Sequence, residues 1–148
     1  MKIAELKDHV GKELGASSWH EITQERVNTF AEATDDHQWI HVDPEMAAQG
    51  PFGTTIAHGY LTLSLAPALM SEIWEFEDVQ MGINYGLNRV RFPAPVPVGS
   101  KVRAVAKLQS VEEIPNGVQI VVECTFEREG GDKPVCVAET VSRLYGGE

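Results

Sequence analysis

Gly59-Tyr60-Leu61-Thr62-Leu63-Ser64-Leu65-Ala66 reads as a helix with apolar side chains on almost every face, and such a helix belongs in the middle of a protein, wrapped by other elements. The wrapping is written further along the chain. Val102, Ala104, Ala106 and Leu108 alternate with Arg103, Val105, Lys107 and Gln109; Val118, Ile120, Val122, Cys124 and Phe126 alternate with Gln119, Val121, Glu123, Thr125 and Glu127. A period of two with one face more polar than the other predicts strands that cover a core on one side. Asn116-Gly117 supplies a tight turn between these runs, and Gly130-Gly131-Asp132 supplies another before Val135 to Tyr145. The second half, from Gly82 onward, is therefore expected to be a curved antiparallel meander around one long helix, giving an α+β domain.

The first half predicts further helices. At Ile22-Thr23-Gln24-Glu25, Thr23 can cap free amides, Glu25 suits the positive end and Ile22 can staple onto Val27. Val27, Phe30, Ala31 and Ala33 follow at helical spacing, and the helix should stop near Thr34-Asp35-Asp36. A second start lies at Asp43-Pro44, where proline takes the first helical position without losing a needed donor. Between them, Asp36-His37-Gln38-Trp39-Ile40-His41 reads as a loop rich in groups that do chemistry. Gln49 to Gly53 is a breaker cluster, and Pro67 should bend the buried helix or leave a carbonyl unpaired. There is no repeat, low-complexity tract or linker, and 148 residues with 43% hydrophobic content suit a single domain over 1–148.

Composition narrows the function. A formal charge of −10 argues against nucleic acid, because a negative average field repels a phosphate backbone. From Val79 to Val111, however, there is no Asp or Glu, while Arg89, Arg91, Lys101, Arg103 and Lys107 all fall there. Such a strip suits a small polyanion such as a nucleotide-containing carrier, and it equally suits ordinary solvated strand faces. The most apolar stretch, Ile56 to Met70, is interrupted by His58, Thr62, Ser64 and Pro67 and is too short for a bilayer; Glu5, Lys7 and Asp8 leave no apolar signal core. A cytoplasmic protein with no membrane partner is expected, in which Cys124 and Cys136 are reduced, buried thiols without chemistry.

Asp36 and His41 stand five apart, a separation that lets a turning backbone aim both side chains into one space, where a carboxylate and a neutral imidazole can hold a water between them. Acids and histidines near helix ends also serve simply as caps. Ile56-Ala57-His58-Gly59 adds a second element: the Gly59 amide at the start of the apolar helix can bond a carbonyl oxygen as it gains charge, and glycine leaves that amide open. Gly59 is also the residue that close packing of helix on sheet would select.

The run Asp36 to His41, the Ile56-Ala57-His58-Gly59 segment with Ser64 beyond it, and Arg91-Phe92-Pro93-Ala94-Pro95-Val96-Pro97-Val98-Gly99 together resemble the MaoC-like, (R)-specific enoyl-CoA hydratases, in particular the branch similar to nodulation protein N. The resemblance covers roughly residues 10 to 145. It implies a hot-dog fold, in which a curved sheet wraps a long central helix, and pairing into a homodimer. It also implies an acyl-CoA substrate, with coenzyme A as part of that substrate and no cofactor or metal. The family motif is Asp-x-Asn-Pro-x-His; Asp36 and His41 stand at its catalytic positions, Gln38 replaces the Asn and Trp39 the Pro. Gln38 can make the same amide bonds from a longer stem, and Trp39 is placed to reshape the acyl pocket. Gly59 matches the oxyanion glycine, Ser64 a pocket serine that orients the loop, and His58 is part of the signature with a structural role. Arg89 and Arg91 are candidate contacts for coenzyme A phosphates, or for acids at a dimer contact. The proline-rich stretch reads as an irregular sheet edge in preference to a peptide ligand.

Three rival readings remain at this level. His37 and His41, four apart, would share a face and could ligate zinc if their loop were helical, although no third strong ligand is spaced nearby. A hot-dog thioesterase would want an acid on the helix, and none lies between Gly59 and Met70. A non-catalytic protein that binds acyl-CoA or an acyl carrier would have no use for a poised water.

Overall fold

The computed structural model describes residues 1–147; Glu148 lies outside the described residues. After a 3-10 segment at Ile3–His9, the elements are β1 (Glu13–Ala16), β2 (His20–Glu21), α1 (Gln24–Thr34), α2 (Trp39–Val42), α3 (Pro44–Ala48), α4 (Gly59–Ser64), α5 (Ala66–Ile73), β3 (Val79–Arg91), β4 (Lys101–Ile114), β5 (Gly117–Arg128) and β6 (Cys136–Gly146). The six strands form one antiparallel sheet in the order β1-β4-β5-β6-β3, with β2 also on β4. The meander of β4, β5 and β6 is as the alternation predicts, and Asn116 turns the first hairpin at φ 67°. Register shifts in the pairing of β3 with β6 and of β4 with β5 mark bulges, the device that curves a sheet.

The inner face carries the apolar set. Val102, Ala104, Ala106, Leu108, Cys124 and Phe126 are all 0% exposed, and they meet Leu61, Leu69 and Met70 of the helices laid across the sheet. Each large aliphatic side chain removed from water in this way contributes about 1.5–3 kcal/mol. Met70 Sδ lies 3.7 Å from Cys124 Sγ. Burial pushes the Cys124 thiol up to about 11 and the Cys136 thiol up to about 12, so both are inert packing groups at neutral pH.

The long helix is in fact two. Pro67 cannot follow an uninterrupted turn, because its ring would meet the Leu63 carbonyl and its nitrogen has no hydrogen to donate. The chain breaks at Leu65 and restarts, with Pro67 in the first turn of α5, where no donor is required. Nor is α4 wrapped all round: Leu61 and Thr62 are buried, whereas Tyr60 is 70% exposed. At the far end of α5, Glu72 accepts hydrogen bonds from the Ser18 amide and hydroxyl and meets His20 Nε2 at 2.6 Å. Ser18, then His20, hold that carboxyl down at about 2. The contact ties the helix layer to the segment between β1 and β2.

The expected basic strip is split. Lys101, Arg103 and Lys107 lie on β4, with Glu127 opposite Arg103 and Glu123 opposite Lys107, while Arg89 and Arg91 lie on β3 at the far edge of the sheet. Three strand spacings, about 14 Å, separate the two groups. Arg103 is committed to Glu127 at 2.9 Å and to the face of Trp19. Those β4 cations have the character of ordinary strand faces.

Candidate active site

Thr23 caps α1 through a bond from the Arg26 amide, and the helix ends at Asp35 in the left-handed region, φ 59°. This reversal turns the chain back toward the body of the protein and presents Asp36. The segment that follows is not all loop. Gln38 acts as the N-cap of the single turn α2, its carbonyl receiving the His41 amide at 3.0 Å, so His41 rides on a helical turn. Asp43 then caps α3 from its side chain to the Met46 amide, with Pro44 at the first position as read.

His41 is 7% exposed, and its Nδ1 lies 2.7 Å from the Ile56 carbonyl oxygen. A carbonyl only accepts, so Nδ1 carries the proton and donates; in the neutral ring Nε2 then holds a lone pair. Burial lowers the His41 pKa, and neighbouring His58 adds to that, while the Ile56 carbonyl and the Asp36 carboxylate pull it back up. The resulting group is a neutral imidazole with its acceptor nitrogen free.

The segment that anchors His41 is itself held at several points. Ile56 N–H donates to the Ile40 carbonyl at 2.9 Å, Ala57 N–H to Val96 at 2.8 Å, and Val98 N–H to Thr55 at 2.9 Å. Ile56 and Pro97 form an isolated bridge. The proline-rich stretch is thus a brace across the segment that anchors His41, more specific than an irregular sheet edge.

Asp36, His41 and His58 each bring one nitrogen or carboxylate oxygen within 4.8 Å of the others. A water making hydrogen bonds of about 2.8 Å to two acceptors spans up to about 5.6 Å, so Asp36 and His41 lie within reach of one shared water. The Asp36 side chain is 51% exposed, which keeps that position open to solvent. Gly59 follows His58 directly, and its N–H has no partner among the described residues. With only six residues, α4 contributes little macrodipole, so this amide counts as a local donor. A Cβ on Gly59 would lie 3.0 Å from the Phe92 ring, a tight contact that favours glycine here: Phe92, just past the end of β3, lies against the start of α4.

The remaining candidates are placed differently. The Gln38 side chain is exposed and makes no hydrogen bond among the described residues, so its service is as a backbone cap and not through its amide. Trp39 packs its ring over Gly50, lining a cleft with Met46 and Gln49, and does not line the cavity beside α4. Ser64 donates to the Tyr60 carbonyl at 2.6 Å, one turn back, and so does not bond the Asp36 loop. It does line a cavity of about 420 Å³ together with Leu63, Pro67, Asn84, Leu87 and Val141. Neither Arg89 nor Arg91 forms an ion pair among the described residues; both are exposed on β3, next to the Phe92 that covers Gly59.

The metal geometries fit poorly. Helix α2 begins after His37, whose Nε2 lies 3.6 Å from Glu32, so His37 and His41 do not share a face. His41 and His58 are stacked, with centroids 3.9 Å apart and planes at 23°. In-plane lone pairs of nearly parallel rings run side by side and do not meet at the about 2.1 Å that a metal–imidazole bond requires. The one acid on α4 or α5 is Glu72, occupied by Ser18 and His20, which leaves a thioesterase without its helix carboxylate.

Comparison with known proteins agrees with this architecture. Residues 5–129 match the family model described as MaoC like domain. The chain is 58% identical over 142 residues to 3-hydroxyacyl-thioester dehydratase Z of Mycobacterium tuberculosis, covering 95% of this chain and 94% of that protein. It is 42% identical over 147 residues to nodulation protein N of Rhizobium leguminosarum bv. viciae, covering 96% and 90%. Among solved structures, the (R)-hydratase from A. caviae involved in PHA biosynthesis superposes with a TM-score of 0.76 at 25% identity, covering 91% of this chain and 96% of that one. A helix layer on a curved antiparallel sheet, matched along nearly its whole length by such relatives, places this hot-dog chain in the MaoC-like dehydratase family.

Proposed function

We propose that the protein adds water to a trans-2-enoyl-CoA to give an (R)-3-hydroxyacyl-CoA, and catalyses the reverse dehydration. The observation that carries this reading is the placement of the Asp36 carboxylate and the His41 imidazole within reach of one water, together with a Gly59 amide, next in sequence to His58 of the same cluster, that has no partner among the described residues. The thioester carbonyl bonds that amide, which draws charge from the β carbon. The water oxygen bonds to the β carbon, Asp36 takes the released proton, and the proton is delivered to the α carbon, whose new C–H bond uses the electron pair of the former double bond. His41 accepts the other O–H of the water and orients it. No electron leaves the substrate, so the reaction calls for no cofactor.

The cavity beside Ser64 supports an acyl chain. Ser64 in its lining stands five residues along α4 from Gly59, about 7.5 Å at the helical rise, a distance that an acyl chain can span from a carbonyl on the Gly59 amide. In this reading Arg89 and Arg91, both exposed at the end of β3, would contact the phosphates of the carrier. The relatives named for (R)-hydratase and 3-hydroxyacyl-thioester dehydratase activity support the reaction class and its stereochemistry.

A homodimer belongs to the same reading. Strand β3 ends the sheet, is 13 residues long with no proline or acid, and leaves Met81, Ile83, Tyr85 and Leu87 exposed at 41–57%. Such an edge pairs with another strand unless something covers it. Sedimentation of the purified protein is expected to give twice the chain mass, and a monomer at micromolar concentration would remove this part. No helix is long and apolar enough to cross a membrane, and the two free thiols suit a reducing, cytoplasmic setting.

The decisive assay follows crotonyl-CoA in parallel for loss of enoyl absorbance and for thiol release. Absorbance is expected to fall without release of thiol, and chiral analysis should give the (R) product. Thiol release at the same rate would turn the reading to a thioesterase, and no reaction with any enoyl thioester would turn it to a binding protein.

A further inference from the structure

His58 is 3% exposed and contacts the segments that carry Asp36 and His41. Its Nε2 lies 3.0 Å from the Asp36 main-chain oxygen, its ring face stacks on His41, Phe30 packs at a centroid distance of 4.9 Å, and its own carbonyl begins α4 by accepting from Leu61 at 3.0 Å. Because a main-chain carbonyl can only accept, Nε2 carries the proton. Nδ1 is then a buried acceptor with no partner among the described residues. A buried polar atom left unpaired costs free energy that an apolar side chain of similar shape would avoid. Packing alone does not account for an imidazole here.

We propose that His58 is a positioning residue: it fixes the Asp36 backbone through the Nε2–H donor and holds the His41 ring in register through its flat face, so that carboxylate and imidazole converge on one water. The Asp36 side chain itself is held loosely, its Oδ2 no closer than 4.0 Å to His58, and so its direction depends on the backbone beneath it. The main-chain bond from His58 is the fixed point for that backbone. The sequence signal was a histidine inside an apolar helix start; reading it as structural misses that its donor is spent on the reacting segment.

The proposal rests on the hydratase reading, and the test separates the two. His58→Phe keeps a ring of similar size and removes the donor. His58→Gln places an amide nitrogen the same number of bonds from Cβ as Nε2 and restores it, whereas His58→Asn is too short to reach. With crotonyl-CoA, H58F is expected to lower kcat about 100-fold with KM changed less than about threefold, since a misplacement of about 1 Å costs a factor of that order. H58Q should recover to within about tenfold of the wild type, with H58N remaining low. If H58F does not fold, as judged by thermal melting, the Gln and Asn variants decide alone. Wild-type turnover in H58F, or equal losses in the Gln and Asn variants, would overturn the proposal. Amide NMR shifts of residues 36–41 give a readout independent of turnover: H58F and H58N should displace them and H58Q should not. A wild type without hydratase activity would sink the proposed reaction while leaving this comparison to decide the role of His58.

Discussion

Asp36→Asn is expected to lower kcat for enoyl-CoA hydration about 1,000-fold, within the range that a positioned acid–base group supplies, with KM little changed. The amide keeps the size of the carboxylate and loses its ability to take a proton from water. Stability should not change measurably, because the side chain is half exposed and makes no close hydrogen bond with its carboxylate oxygens among the described residues. Comparison of kcat with the thermal midpoint therefore separates chemistry from folding at this position. Equal rates in mutant and wild type would take Asp36 out of the mechanism.

His41→Ala combines two effects that Asp36→Asn keeps apart. Removal of the imidazole takes away the acceptor for water and leaves the Ile56 carbonyl, in a buried segment, without its donor. The rate should fall about 100- to 10,000-fold, and the folded state should lose about 1–3 kcal/mol from the unpaired carbonyl alone, read by denaturant titration. In the wild type the pH profile carries the same information. Above its pKa, Nε2 offers a lone pair; below it, Nε2 is protonated and cannot receive a water proton. Because burial first, then His58, depress that pKa, the acid limb of the rate should lie below the ordinary imidazole value of about 6.5. Stability follows the same sign. As pH falls below about 6.5 the unfolded chain takes up this proton before the folded chain does, so the contribution present above that pH is lost as pH drops through the folded value. An acid limb above 6.5 would mean that another group controls the rate.

The sequence was most readable where local pattern and burial coincide. Thr23, Asp43 and Pro44 sit at the helix starts predicted for them, since a cap is decided within four residues. The alternation in β4 and β5 matches residues at 0–6% exposure on the inner face, because one side of those strands faces a core and the other does not. Strand β3 was harder to delimit and starts at Val79, not Gly82; nearly all of it is exposed on both faces, so burial imposes no period of two. The single turn α2 was missed because Gln38 offers no side-chain cap and four residues are too few for a helical period. Two strands near the N-terminus, β1 and β2, were missed as well, being four and two residues long.

At the site, residue types were legible and their partners were not. The kinds of group that Asp36, His41 and Gly59 offer, a carboxylate, an imidazole and an open amide, are evident from side chain or backbone alone. That His41 donates to Ile56 and so exposes Nε2, that Ser64 turns back onto Tyr60, and that Trp39 packs on Gly50 depend on how distant segments meet. The split of the basic residues between β3 and β4 has the same origin, since strands adjacent in sequence lie at different places in the sheet order.

The brace formed by Val96 to Val98 across Thr55 to Ala57 means that the segment joining the three proposed reacting groups, all within the first 59 residues, is held by chain that follows that segment by some 40 positions. Closing a loop of that span carries an entropic cost before any contact repays it. In the proposed reading, catalytic competence is a late property of the folding chain: a nascent or truncated polypeptide ending before Val96 would contain all three proposed groups and lack the clamp that braces their segment.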